Sequence, residues 1–109
     1  NTKAITAQEN DSAELVLKMM QWKNIHHVPI LDNNLDLVGL LTWTDVEQFL
    51  GKPGELEQSI RDIMKTQLIT ITEDEQLAKA KSVMQSKAIN CLPVVRGKKL
   101  VGIITINDL

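Results

Sequence analysis

The sequence predicts a mixed α/β (α+β) fold built from two copies of one strand, helix, strand, strand, helix unit, and three observations lead there. The stretch Leu37-Val38-Gly39-Leu40-Leu41-Thr42-Trp43-Thr44-Asp45 nearly recurs as Leu100-Val101-Gly102-Ile103-Ile104-Thr105-Ile106-Asn107-Asp108. Setting Pro29 over Pro93, an offset of 93 − 29 = 64, also lays Thr6 on Thr70, Glu9 on Glu73, Met20 on Met84 and Ile25 on Ile89. Within each copy, short apolar runs of strand length flank one segment of helical period. Each half of a 109-residue chain is too small to bury a comfortable core alone, so the halves are expected to pack together.

The first copy, residues 1–50, opens with a short strand at residues 3–6. Asp11 or Ser12 supplies an N-cap for a helix running to about Lys23, in which Ala13, Val16, Leu17 and Met20 fall at i, i+3, i+4 and i+7 and form one buried face. Val28-Pro29-Ile30-Leu31 is a second strand, Asp32-Asn33-Asn34 has turn chemistry, and residues 37–42 return as the third strand of a hairpin. Thr44 then caps a helix holding Val46, Phe49 and Leu50, with Glu47 placed to close a capping box and Gly51-Lys52-Pro53-Gly54 to end it.

Residues 51–59 read as a polar linker, and residues 60–109 as the second copy. A helical turn at Ile60-Arg61-Asp62-Ile63-Met64 leads into a strand at residues 68–71. Thr72, with Glu75 three residues on, caps a helix whose buried face is Leu77, Ala80, Val83 and Met84. Strands at residues 91–95 and 99–105, turned at Arg96-Gly97, complete the second hairpin, and Asn107 is the next cap. The first repeat lacks a counterpart of the 60–64 lead-in and the final helix is cut short, as expected of a piece of a longer protein.

Composition narrows the function. Twelve Lys and Arg against fourteen Asp and Glu give a net charge of −2, which offers no diffuse attraction to nucleic acid or to an anionic membrane. One Phe, two Trp and no Tyr leave no aromatic ladder for single-stranded bases. No apolar run approaches the roughly 20 residues that span a bilayer, so direct membrane insertion is not expected. A lone Cys91 cannot form an internal disulfide, which points to a reducing, cytoplasmic setting.

A Pro-containing second strand followed by Gly-hydrophobic-hydrophobic-Thr-x-x-Asp, present twice, resembles the cystathionine-β-synthase (CBS) domain, and two in tandem resemble a CBS pair. The resemblance covers essentially the whole chain. It implies two repeats packed sheet to sheet about a pseudo-twofold axis, with two clefts for an adenosine nucleotide or related adenosyl ligand, and a pair that forms a homodimer. AMP, ADP, ATP or S-adenosylmethionine would be the regulatory ligand, with no obligatory cofactor.

The residue types suit that ligand. A carboxylate can accept from both vicinal ribose hydroxyls, a role for Asp45 and Asp108, while Thr42, Thr44, Thr105 and Asn107 offer donors to phosphate beside a helix start. In the resembling fold the adenine slot comes from the other repeat. One site then joins Thr42, Thr44 and Asp45 with Ile89, Asn90, Cys91 and Thr70. The other joins Thr105, Asn107 and Asp108 with Ile25, His26, His27 and Thr6. Only the second has basic candidates before the proline, so it is expected to be the better nucleotide site and to bind more tightly as pH falls through the histidine range. Lys3, Arg61, Lys65, Arg96, Lys98 and Lys99 are further cations that sequence does not place.

Plainer readings stand beside these. Thr-x-Thr-Asp makes a helix cap without any ligand, and adjacent histidines are ordinary polar residues at a strand edge that point to opposite faces, a poor metal set. Cys91 in an apolar strand is a buried inert thiol with no orienting triad, so no catalytic residues are expected. The sequence therefore predicts a ligand-sensing regulatory module controlling an attached or partner protein, and the alternative is a structural or dimerisation module with empty clefts.

Overall fold

The structure, a computed structural model, describes residues 5–49, 59–75 and 77–106. Leu50, Gly51-Lys52-Pro53-Gly54, Asn107 and Asp108 lie outside the described residues. Two units separate by their internal contacts, residues 5–68 and the chain from Ile69 onward.

In the first unit, β1 (Ala7–Gln8), α1 (Ala13–Lys23), β2 (His27–Leu31), β3 (Leu37–Thr42) and α2 (Trp43–Phe49) follow in order. They build a three-stranded sheet ordered β1-β2-β3, parallel between β1 and β2 and antiparallel between β2 and β3. Ser12 is the N-cap of α1, its hydroxyl accepting the Leu15 N–H at 3.2 Å, and Ala13, Val16, Leu17 and Met20 form the buried face. Asp11 instead closes the preceding turn, with Oδ2 accepting the Gln8 N–H at 2.9 Å. The hairpin turns on Asp32, whose Oδ1 accepts from the N–H groups of Asn34 and Asp36.

The 3-10 turn Ile60–Asp62, counted with the second repeat in the sequence, packs into the core of the first unit. Ile60 is fully buried with Met20, Val28, Ile30 and Leu41, and each such side chain contributes about 1.5–3 kcal/mol relative to exposure. The segment is also tied by its backbone. Ile60 N–H donates to the Asp11 carbonyl at 2.8 Å, and Lys65 exchanges both backbone bonds with Leu40, so it covers the outer edge of β3.

That covering explains the motif glycine. A Cβ on Gly39 would lie 2.8 Å from Met64 Cγ, 3.1 Å from the Lys65 carbonyl oxygen and nearer still to Met64 Sδ. Gly39→Ala is therefore expected to lower unfolding free energy by about 1–3 kcal/mol in a denaturant titration.

The second unit repeats the plan with β4 (Ile71–Thr72), α3 (Leu77–Lys87), β5 (Cys91–Arg96) and β6 (Lys99–Thr105), in sheet order β4-β5-β6. The correspondence reaches single bonds. Asn24 and Ala88 both take left-handed φ, 54° and 55°, just after their helices. Ile25 N–H donates to Met20 O as Ile89 N–H does to Met84 O, both at 3.0 Å. Each second strand bulges at the matching place, between Ile30 and Leu31 and between Val94 and Val95. Gly97, at φ 63°, turns the second hairpin.

Several expected boundaries move. Of the expected first strands at residues 3–6 and 68–71, residues 3 and 4 lie outside the described residues; the first strands described are Ala7–Gln8 and Ile71–Thr72, where the parallel ladder reaches only the far half of the second strand, Ile30–Leu31 and Val94–Val95. Thr72 and Glu75 do bond, with Thr72 N–H donating to Glu75 Oε1 at 2.9 Å, but they close a turn ahead of α3, as Gln8 and Asp11 do ahead of α1. Of the expected α3 face, Ala80 and Met84 are buried and Val83 packs against them, while Leu77 is 58% exposed.

Candidate functional site

β3 runs into α2 with no loop between Thr42 and Trp43. That places Thr42 at the cap and Asp45 at the third helical position. Asp45 N–H donates to Thr42 Oγ1 at 3.3 Å, while the Thr42 N–H and hydroxyl both donate to Asp45 Oδ2, at 3.2 and 2.9 Å. The capping box is thus Thr42 with Asp45, not Thr44 with Glu47, because the helix starts two residues earlier than expected. Thr44 is exposed, and Glu47 accepts from the Trp43 indole N–H.

Asp45 is buried, and one of its oxygens is left over. Oδ1 accepts no hydrogen bond from the described residues, and Lys65 Nζ stands 3.8 Å away, beyond hydrogen-bond length. Lys65 was one of six unplaced cations in the sequence. The contact is long-range, made by the ladder between Leu40 and Lys65, and no local pattern announces it.

The histidines stand beside this corner in the same unit. His27 opens β2 and pairs in register with Thr42, while the His26 carbonyl accepts the Trp43 N–H at 2.9 Å. The His26 and Trp43 rings meet edge to face at 6.5 Å. Ile25 packs against the core behind them, and Thr6 lies just ahead of β1. Residues that the resemblance assigns to two different clefts therefore meet where β2 begins and β3 ends: Thr42 pairs with His27, and Trp43, which leads on to Thr44 and Asp45, bonds to His26 after Ile25.

Burial holds the His27 pKa below 6.5, helped by the nearby charges of His26 and Lys65. With a folded value below the unfolded one, its stability contribution is complete above about pH 6.5 and is lost as pH falls below it. Chemical unfolding of wild type and His27→Gln at pH 7.5 and 5.5 is expected to show a smaller acid loss in the variant.

In the second unit Thr105 ends β6 opposite Cys91, and Ile106 N–H donates to Asn90 O at 2.9 Å, matching Trp43 and His26. Ile89 packs on the second core, and Thr70 is exposed just ahead of β4. Burial pushes the Cys91 thiol up to about 12, so it stays protonated at neutral pH. Among the described residues, no group of three or more His, Cys, Asp or Glu is placed to hold a metal, and no helix is long and apolar enough to cross a membrane.

Comparison with known proteins gives these features a context. The family model of the CBS domain matches twice, at residues 1–52 and 60–109. An uncharacterised protein of Methanocaldococcus jannaschii, MJ1404, is 36% identical over 96% of the chain, and a homoserine O-acetyltransferase of Methanohalobium evestigatum is 30% identical over 95%. The chain spans only 28% and 21% of those two relatives. Among solved structures, the CBS domain pair of protein MJ0100, in complex with 5′-methylthioadenosine and S-adenosyl-L-methionine, superposes with a TM-score of 0.88 at 33% identity, covering 99% of this chain and 86% of that one.

Proposed function

The chain belongs to the CBS domain family as a tandem pair, and on that premise we propose that it is a regulatory module binding an adenosine nucleotide or related adenosyl ligand between its repeats. The observation that carries this reading is the leftover oxygen of Asp45. A cap needs one carboxylate oxygen, and the second takes no hydrogen bond from the described residues and faces Lys65 Nζ at 3.8 Å, so it is open to accept charge-assisted hydrogen bonds from a ribose diol. The likeness to a pair in complex with two adenosyl compounds supports the ligand class.

In this reading, the Asp45 cleft combines Thr42, Thr44 and Asp45 with Ile89, Asn90, Cys91 and Thr70. The Asp108 cleft combines Thr105, Asn107 and Asp108 with Ile25, His26, His27 and Thr6. The pair acts as a homodimer on a longer protein, and ligand regulates it because it prefers one state. The Asp108 cleft binds anions better under acid. The depressed His27 pKa sets the window, so affinity for AMP is expected to be flat above about pH 7 and to rise below pH 6.5. Titration calorimetry from pH 8 to 5.5 checks this, and a flat profile throughout contradicts it.

A structural or dimerisation module is the second reading, favoured by the closed Thr42–Asp45 box, which is complete without ligand. A thermal-shift screen with AMP, ADP, ATP, S-adenosylmethionine and cyclic dinucleotides separates the two. Ligand at about 100 times its Kd stabilises the native state by about 2.7 kcal/mol. No shift with any of them selects the structural reading.

A further inference from the structure

We propose that Lys65 makes the Asp45 half-site selective for adenosine carrying a 5′-phosphate, an inference that rests on the adenosyl-binding reading and names its ligand class. In sequence the Asp45 cleft has no charge of its own before the proline, where Asn90 and Cys91 stand. The structure supplies one from elsewhere. The Lys65 backbone is fixed on the edge of β3 by reciprocal bonds to Leu40 of 3.0 and 2.9 Å, so the root of its side chain is held beside the Thr42–Asp45 corner.

Among the described residues the ammonium group makes a single long ion pair, with Asp45 Oδ1, and no hydrogen bond. Its nearest carboxylate oxygen is 3.8 Å away, and its side chain is 58% exposed. A diol held at Asp45 Oδ1 puts the 5′ substituent one ribose ring away, within the sweep of a four-carbon arm anchored at that point. A phosphate there meets a cation whose three donors are available. A sulfonium in the same place meets like charge, so Lys65 disfavours S-adenosylmethionine in this cleft while leaving neutral adenosine indifferent. The same charge bears on His27, where it helps to hold the imidazole neutral. Neutralising Lys65 with a phosphate is thus expected to raise the His27 pKa, a change that a merely structural lysine would not produce.

The test uses the Asp108→Ala chain, so that the Asp45 cleft is read alone. Affinities for AMP, adenosine and S-adenosylmethionine are measured by calorimetry in that background and with Lys65→Met or Lys65→Arg added. Lys65→Met is expected to weaken AMP about ten- to hundredfold, to leave adenosine unchanged and to tighten S-adenosylmethionine, while Lys65→Arg keeps the AMP preference. AMP saturation should raise the His27 pKa in NMR titration only when residue 65 is cationic. Equal effects on AMP and adenosine, or none on either, overturn the role of Lys65 while adenosyl binding stands. If neither compound binds the parent or the wild-type chain, both readings fall together.

Discussion

Asp45→Ala and Asp108→Ala are each expected to weaken adenosyl binding in their own cleft by about a hundredfold or more, the cost of removing two charge-assisted hydrogen bonds of roughly 1.5–3 kcal/mol each. The two substitutions should differ in a second respect. Asp45 also closes the Thr42 capping box, so Asp45→Ala is expected to lower unfolding free energy by about 1 kcal/mol even without ligand. Asp45→Asn separates the effects. It keeps an oxygen for the Thr42 donors and loses the carboxylate charge, so stability should be largely restored while binding remains weak. Calorimetric titration beside urea unfolding reads both quantities on one preparation.

The second large effect lies in the core. Leu41 and Ile30 are fully buried on β3 and β2 of the first unit, packed with Met20 and with Ile60 from the incoming segment. Leu41→Ala or Ile30→Ala is expected to cost about 2–5 kcal/mol, combining lost transfer energy with an unfilled cavity, measured as a fall in the denaturant midpoint at unchanged slope. Against a typical domain stability of about 5–15 kcal/mol this is a large fraction. Leu41 also precedes Thr42 directly, so a cavity there should loosen the corner that presents Asp45.

Most of this architecture was legible in the sequence because the signal occurs twice. The offset of Pro29 on Pro93 predicted that α1 and α3 would span matching residues, and β3 and β6 run over the ranges that the apolar runs indicated. Local chemistry was legible where bonds are local, as in the Asp32 turn and the Ser12 cap. It failed where the local pattern had two solutions. Thr42 and Thr44 are both good caps, and only the absence of a loop after β3 decides for Thr42. Long-range contacts were out of reach. Nothing in Ile60-Arg61-Asp62-Ile63-Met64-Lys65 says that its apolar residues fill the core of the first repeat, or that Lys65 will stand beside Asp45. The requirement for Gly39 belongs to the same class, since the side chain it avoids comes from Met64.

The structure also changes what the histidines mean. They were assigned to one cleft and Asp45 to the other, yet His27 pairs with Thr42 and the His26 carbonyl bonds to Trp43. The end of one hairpin thus carries contributions to both proposed sites.

On the proposed function, the pair binds an adenosyl ligand through its two Thr-x-x-Asp corners. Calorimetric titration of wild-type protein with AMP, repeated with Asp45→Ala, Asp108→Ala and the double variant, tests it most directly. Wild type is expected to bind, each single variant to lose one class of site, and the double variant not to bind. Undiminished AMP binding by the double variant, or no binding by folded wild-type protein, contradicts it.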